Sequence, residues 1–282
     1  MSQPFQKIGI LGGGLLGGSA ALALWEKADV RLWFRKSEAI APAREMGFAC
    51  ATENLAQAVA QADLLILAVP VGAMPALLSA AVAAGLPKSC LVTDVGSVKV
   101  APHRDLAPIL AESSNPFIGS HPMAGSERNG LAAARADLFE NAPCLLTNDS
   151  AASADLCAAL EDFWKSLGCR TKWLAAPEHD RLVARISHLP HVTAAATAFG
   201  ALSADTTSGS LSGGGLRDTT RVAGGNPEMW AEILLENRGE VARSVRETIA
   251  KLDEFLVALD HANQEELRRL LDEAKALRDT LP

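Results

Sequence analysis

Two histidine-bearing segments carry side chains that could move a proton. One reads Gly119-Ser120-His121-Pro122-Met123-Ala124-Gly125-Ser126-Glu127, the other Ser187-His188-Leu189-Pro190-His191. Taking hydride from an alcohol requires a proton acceptor within hydrogen-bond reach and with a pKa near the working pH, and imidazole meets both conditions. His121 follows a short strand pattern at Phe117–Gly119. Ser97 follows another at Leu91–Asp94, inside Asp94-Val95-Gly96-Ser97-Val98-Lys99. Both then fall at the carboxyl edge of a sheet, where α/β folds bind ligands. An anionic substrate needs local positive charge, because the chain as a whole carries −7. Arg217 and Arg221 are four residues apart and can share a helical face, and a planar guanidinium matches a carboxylate.

Other side chains have plainer readings. His188 and His191 stand three apart, but Pro190 lies between them, no HExxH occurs and no third ligand is apparent, so no metal is expected. His179 and Asp180 fit a helix cap as well as a supporting role at a site. Arg217 beside Asp218 also fits a surface ion pair. His103 and His261 have no chemical context and are read as surface residues. Five cysteines, widely spaced and without CxxC, read as reduced structural thiols.

A second chemistry-bearing feature is Gly12-Gly13-Gly14-Leu15-Leu16-Gly17, a GxGxxG between the strand pattern Ile8–Leu11 and an apolar helix pattern Leu15–Lys27. Gly12 permits the tight turn, Gly14 lets a pyrophosphate approach the backbone, Gly17 allows close helix–sheet packing, and the helix N-terminus attracts the phosphates. The motif therefore predicts a nicotinamide dinucleotide, touched by Gly12, Gly14, Leu15, Leu16, Gly17 and Val69. An Asp or Glu at the end of the second strand would bind the ribose 2′-hydroxyl. Here that strand ends Leu32-Trp33-Phe34-Arg35-Lys36-Ser37, with no acid. Arg35, Lys36 and Ser37 suit a 2′-phosphate, so NADP is expected over NAD, with NAD as the other candidate.

The elements that must position these groups alternate in the first half. Strand patterns at Val30–Phe34, Leu64–Val69, Leu91–Asp94, Cys144–Thr147 and Thr171–Leu174 are separated by helical or Ala-rich stretches such as Gly72–Ala84. That alternation predicts a Rossmann-type parallel sheet with helices on both faces. After about Ala176 the strand patterns stop. One apolar stripe runs Leu234, Val241, Val245, Ile249, Leu252, Leu256 and Leu259, and another Leu267, Leu270, Leu271, Ala274 and Leu277. An all-helical region of this size has little core of its own, so the expected plan is a dinucleotide-binding domain over 1–175 and a helical substrate and dimerisation domain over 176–282. Thr206–Gly215, rich in Ser and Gly, reads as a flexible loop.

These blocks, in this order, resemble the prephenate/arogenate (cyclohexadienyl) dehydrogenase family of tyrosine biosynthesis. The resemblance runs from Lys7 to Asn237 and includes Gly213-Gly214-Gly215-Leu216-Arg217-Asp218-Thr219-Thr220-Arg221 and Asn226-Pro227-Glu228-Met229-Trp230. It implies oxidation of a ring hydroxyl, hydride transfer to the nicotinamide, loss of the ring carboxylate as carbon dioxide, and an aromatic product. It implies His121 as the group that accepts the hydroxyl proton and Ser97 as the group that orients that hydroxyl. His188 and Arg221 become the substrate-binding pair, with Gly214 and Trp230 shaping the pocket. Glu127 and Asn129 are candidates for contact with the substrate side chain.

Two other functions share parts of this plan. A β-hydroxyacid dehydrogenase or imine reductase commonly relies on a lysine on the interdomain helix, and the stretch after Pro177 offers His188 instead. A non-catalytic NADP-binding regulator predicts loss of the proton acceptor or the anion clamp, and both are present. The negative charge argues against nucleic acid. No window approaches the roughly 18 apolar residues of a membrane span, and the N-terminus lacks a signal-peptide pattern. A cytoplasmic homodimer acting on a small molecule is expected.

Overall fold

The computed structural model describes residues 4–124 and 130–281. Strands β1 (Lys7–Leu11), β2 (Asp29–Trp33), β3 (Ala51–Thr52), β4 (Leu64–Leu67), β5 (Leu91–Asp94), β6 (Phe117–Pro122), β7 (Pro143–Thr147) and β8 (Arg170–Trp173) form one sheet. Their spatial order is β3-β2-β1-β4-β5-β6-β7-β8. The chain leaves β1 towards β2 and later returns to β4 on its other side. This reversal opens a crevice at the carboxyl ends of β1 and β4, the place such sheets use for ligands. β4 and β5 are buried along their whole length, which central strands covered on both faces require.

The sheet departs from the expected plan at one pairing. β6 and β7 run antiparallel, Gly119 opposite Thr147 and His121 opposite Leu145. A parallel neighbour needs a long crossover connection, and the described part of the β6–β7 connection holds only a short 3₁₀ turn at Leu131–Ala133.

Successive strand residues feed opposite cores, as a two-residue period demands. Ile8, Ile10, Leu64 and Ile66 enter one core with α1 (Leu15–Ala23) and α6 (Ala154–Ser166). Leu11, Leu65, Leu67 and Val92 enter the other. Around that second core stand α4 (Met74–Ala83) and α5 (Val100–Ser113), while α2 (Ile40–Glu45) and α3 (Leu55–Val59) flank β3. α1 stops short of the predicted Lys27 because Glu26 takes a left-handed conformation, φ 63°.

From α7 (Ala176–Val183) onwards the chain is helical. A π turn at Ala184–His188 joins α7 to α8 (Leu189–Leu202), and α9 (Gly214–Thr220), α10 (Pro227–Glu236), α11 (Arg238–Asp260) and α12 (Gln264–Arg278) follow. The predicted stripe from Leu234 to Leu259 is divided between α10 and α11, since the chain turns at Asn237. The predicted flexible loop Thr206–Gly215 contains a 3₁₀ turn at Thr206–Leu211, capped by the Asp205 carboxylate, and the start of α9. Ile233 of α10 enters the second core of the sheet, and the Glu232 carboxylate accepts the Gly72 amide at 2.6 Å. The helical region is thus seated on the sheet beside its ligand edge.

Candidate active site

The glycine loop after β1 is a close-packed turn. Gly12 has φ +121°, and a Cβ there would lie 2.2 Å from the Ala68 carbonyl oxygen. A Cβ on Gly17 would lie 2.0 Å from the Gly12 carbonyl oxygen. Gly14 is the N-cap of α1, no side chain caps this helix, and space is open for 4 Å around the position of a Gly14 Cβ. The first amides of α1, from Leu15 and Leu16, are therefore available to an anion. Val69 lies against Gly12 and walls the loop. A dinucleotide pyrophosphate fits this cradle. At the end of β2, Phe34 sets its ring against Gly13. Arg35, Lys36 and Ser37 are exposed, and Lys36 lies 3.8 Å from Glu38.

Ser97 sits in the loop that leaves β5, and a buried ion pair shapes that loop. Lys99 and Asp94 are both fully buried. The Lys99 ammonium also donates to the carbonyls of Gly96 (2.9 Å) and Val98 (3.0 Å), so its three donors are satisfied. The Asp94 carboxylate accepts the Gly96 amide at 2.8 Å and the Ser120 amide at 3.2 Å. It thereby ties the Ser97 loop to β6 one residue before His121. Ser120 is itself held by Thr93 (2.8 Å) and Trp164 (2.9 Å).

His121, at the end of β6, meets α7. Its Nδ1 lies 2.9 Å from His179 Nε2, and His179 Nδ1 lies 2.8 Å from Asp180 Oδ1. The Asp180 carboxylate also accepts the amides of Lys99 (2.7 Å) and Val100 (3.0 Å), capping α5. Burial drives the pKa of His121 well below the ordinary histidine value, and the nearby His179, Lys99 and His188 push the same way. Burial also lowers His179, against the opposing pull of Asp180.

His188, on the π turn, is fully buried. Asn237 bridges its Nδ1 (3.2 Å) and the Asp180 carbonyl (2.7 Å). Among the described residues its Nε2 meets no partner with hydrogen-bond geometry. Burial lowers its pKa to about 4, although Asp180 and the Ser97 backbone, both close by, favour its charged form. The ring stands edge-on to Trp230, centroids 6.1 Å apart, and His191 stacks on the same indole at 3.7 Å. His121, His179, Asp180, His188, His191, Asn237 and Trp230 are thus linked across the junction of sheet and helices, with the Ser97 loop beside them.

Other predicted residues lie further out. Gly214 is exposed at the start of α9, and Arg221 is exposed on the 3₁₀ turn that packs against α8. Glu127 and Asn129 lie outside the described residues. His103, read as a surface residue, has a side chain only 8% exposed. It bonds Thr147 (2.9 Å) and Ser150 (2.8 Å) and packs edge-on against Phe117, because the first turns of α5 face β6 and β7. His261 is exposed. Burial raises the thiols of Cys50, Cys90 and Cys144, which is the inert condition. Among the described residues no group of three or more His, Cys, Asp or Glu could hold a metal ion.

Sequence reasoning left His179 and Asp180 open between cap and site; the Asp180 carboxylate caps α5 and also bonds His179. It missed Lys99, Asp94 and Asn237 as site-shaping groups. For Asp94 and Lys99 a signal existed: two opposite charges flank Ser97 in a segment otherwise apolar or small. For Asn237 there was none.

Comparison with known proteins gives a consistent result. The family model described as prephenate dehydrogenase, nucleotide-binding domain, matches residues 21–173, and that described as prephenate dehydrogenase, dimerization domain, matches residues 175–273. The chain is 37% identical to a cyclohexadienyl dehydrogenase of Zymomonas mobilis over 90% of this chain and 89% of that one. It superposes on the Aquifex aeolicus prephenate dehydrogenase, solved with hydroxyphenyl propionate and NAD+, with a TM-score of 0.87 and 28% identity, covering 97% of each chain. For the Synechocystis arogenate dehydrogenase the TM-score is 0.78 at 30% identity, over 97% of this chain and 99% of that one.

Proposed function

The chain belongs to the prephenate dehydrogenase family, and from that premise we propose how its own residues divide the reaction. It is an NAD(P)-dependent dehydrogenase that oxidatively decarboxylates prephenate or arogenate. A β-hydroxyacid dehydrogenase, an imine reductase and a non-catalytic regulator are not favoured. The dinucleotide, when bound, accepts the hydride from the carbinol carbon of the ring.

His121 takes the proton of the ring hydroxyl, and Ser97 orients that hydroxyl. His188 and Arg221 bind the substrate anion, and Trp230 and Gly214 shape the pocket, with Glu127 and Asn129 assigned to the substrate side chain. Loss of the ring carboxylate needs no metal, because the ketone formed is itself the electron sink. The observation that carries this reading is the buried Nε2 of His188, without a hydrogen-bond partner among the described residues, in the same linked cluster as His121. A buried polar nitrogen left unbonded is costly, and a substrate carboxylate supplies the missing acceptor.

Gly12, Gly14, Leu15, Leu16, Gly17 and Val69 hold the dinucleotide. Its preferred form is NADP: Phe34 stands where a ribose-binding acid would, and Arg35, Lys36 and Ser37 are exposed just beyond it. The domains divide between residues 175 and 176, in support of which the last strand ends at Trp173 and α7 begins at Ala176. The working unit is a homodimer, for which the exposed leucines of α11 speak. Five free thiols fit a reducing compartment such as the cytoplasm, and no described helix is long and apolar enough to cross a membrane.

The test is a four-way assay, prephenate and arogenate each with NAD and NADP, following reduced nicotinamide and carbon dioxide together. At least one combination should turn over. His121→Asn should lower kcat by roughly 10²–10⁴ with little change in substrate KM. No turnover in any combination would remove the reading.

A further inference from the structure

Asp180 presents two acceptors to two different histidines. Its carboxylate reaches His121 through His179, and its backbone carbonyl reaches His188 through Asn237. We propose that Asp180 is a positioning residue that gives the two site histidines opposite polarity, leaving His121 with a bare Nε2 that accepts a proton and His188 with an Nε2–H that donates to an anion. The proposal rests on the roles assigned to His121 and His188 above.

The first arm follows from what each atom can donate. Burial raises the Asp180 pKa, but the bonds from His179 and from the Lys99 and Val100 amides outweigh it and hold the carboxyl below its ordinary value. As a carboxylate it only accepts. His179 Nδ1 must then carry its proton, and since His179 is neutral its Nε2 is an acceptor. His121 Nδ1 faces that acceptor at 2.9 Å, so it carries the proton of the neutral ring. The free nitrogen of His121 is Nε2, unprotonated and ready to take the hydroxyl proton.

The second arm starts from a carbonyl, which also only accepts. The Asn237 amide nitrogen faces it at 2.7 Å, which decides the amide's orientation. The same nitrogen faces His188 Nδ1 at 3.2 Å. His188 Nδ1 is therefore the acceptor, and its proton sits on Nε2, the atom with no hydrogen-bond partner among the described residues. One residue thus prepares a base for a hydroxyl and a donor for a carboxylate. On turnover the hydroxyl proton passes to His121 Nε2. The Nδ1 proton of His121 can then move to His179 Nε2, so that the single positive charge gained lies against the Asp180 carboxylate.

Long-range proton–nitrogen NMR on the intact, uniformly ¹⁵N-labelled protein without substrate reads the tautomers directly. The expected result is an Nδ1-protonated His121 and an Nε2-protonated His188, each assigned by its disappearance in a His→Asn variant. The opposite tautomer at either ring overturns the proposal. Two variants then separate the arms. His179→Leu removes the acceptor for His121 and should lower kcat about 10- to 100-fold with substrate KM within about twofold. Asn237→Asp turns a carboxylate on His188 Nδ1, draws the proton there, and should raise substrate KM about 10- to 100-fold with a smaller change in kcat. Equal losses in both constants from both variants would mean that the arms only hold the fold, and would overturn the proposal. Absence of turnover with every substrate would remove the functional reading, while the tautomers still decide this one.

Discussion

Imidazole in water titrates near neutrality, but in this site burial keeps it neutral well into the acid range. His188 is lowered to about 4 in the folded chain against about 6.5 unfolded. Between those values the unfolded chain binds a proton that the folded chain refuses. The stability present above pH 6.5 is therefore lost as pH falls towards 4, on the order of 3 kcal/mol for this one residue. His121 and His179 are lowered in the same direction. Urea unfolding at pH 7 and pH 4.5 should show His188→Asn losing roughly 2–3 kcal/mol less than the parent over that range; equal losses would mean that His188 does not titrate on unfolding. Arg35 bears on cofactor choice. A charge-assisted contact to a 2′-phosphate gives about a ten- to hundredfold preference for NADP. Arg35→Asp should erase or reverse the ratio of kcat/KM for the two cofactors, and a parent ratio favouring NAD would exclude the contact. In the proposed clamp role, Arg221→Ala should chiefly raise substrate KM, because a carboxylate paired with it would be present in the ground state. Weaker cofactor binding with unchanged substrate KM would reassign it.

Elements place these residues through buried polar joints. The loop after β5 would expose Asp94 to an apolar interior without Lys99, and the pair holds Ser97 at the sheet edge. Removing one member leaves an uncompensated buried charge. Lys99→Met should destabilise the fold by about 3–5 kcal/mol in urea titration, and adding Asp94→Asn should restore part of that. A loss under about 1 kcal/mol for the single variant would show that the pair is not a structural joint. The π turn at Ala184–His188 has a local cause as well. Pro190 lacks the amide that an α-helix would direct to the Ile186 carbonyl, so the ladder loosens one turn ahead of it. The wider turn ends on His188, whose ring faces Asn237 and Trp230.

The molecule as a whole leaves an apolar face uncovered. Ile249, Leu252, Leu256 and Leu259 of α11 are half or more exposed, and Leu271 and Leu277 of α12 likewise. A two-fold partner would bury such a stripe against its own copy. Light scattering at micromolar concentration should report a dimer, and Leu256→Asp with Leu259→Asp should shift it towards the monomer. A monomeric parent would contradict this. The seating of α10 on the sheet, through Ile233 and Glu232, couples this helical region to the dinucleotide half within each chain.

Much of this was legible because it is local. A glycine loop between a strand and a helix, apolar runs at a strand's period, and a histidine at a strand's end are patterns of neighbours along the chain, and backbone sterics and burial act on them directly. The order of the blocks identified the family for the same reason. The rest depends on groups far apart in sequence. Asp180 joins His121 from 59 positions away and Asn237 from 57, as the hydrogen bonds between α7, β6 and the turn at Asn237 require. No periodicity records such a meeting, and the antiparallel entry of β7 is silent for the same reason. His103 looked solvated because a lone histidine on a helix pattern carries no mark of the strand it will face. Sequence alone determined the family and which side chains are candidates for a base, an anion clamp and a phosphate cradle. Tertiary structure decided which nitrogen of each histidine is free to act, because a tautomer is set by the partner across the fold and not by the residue beside it.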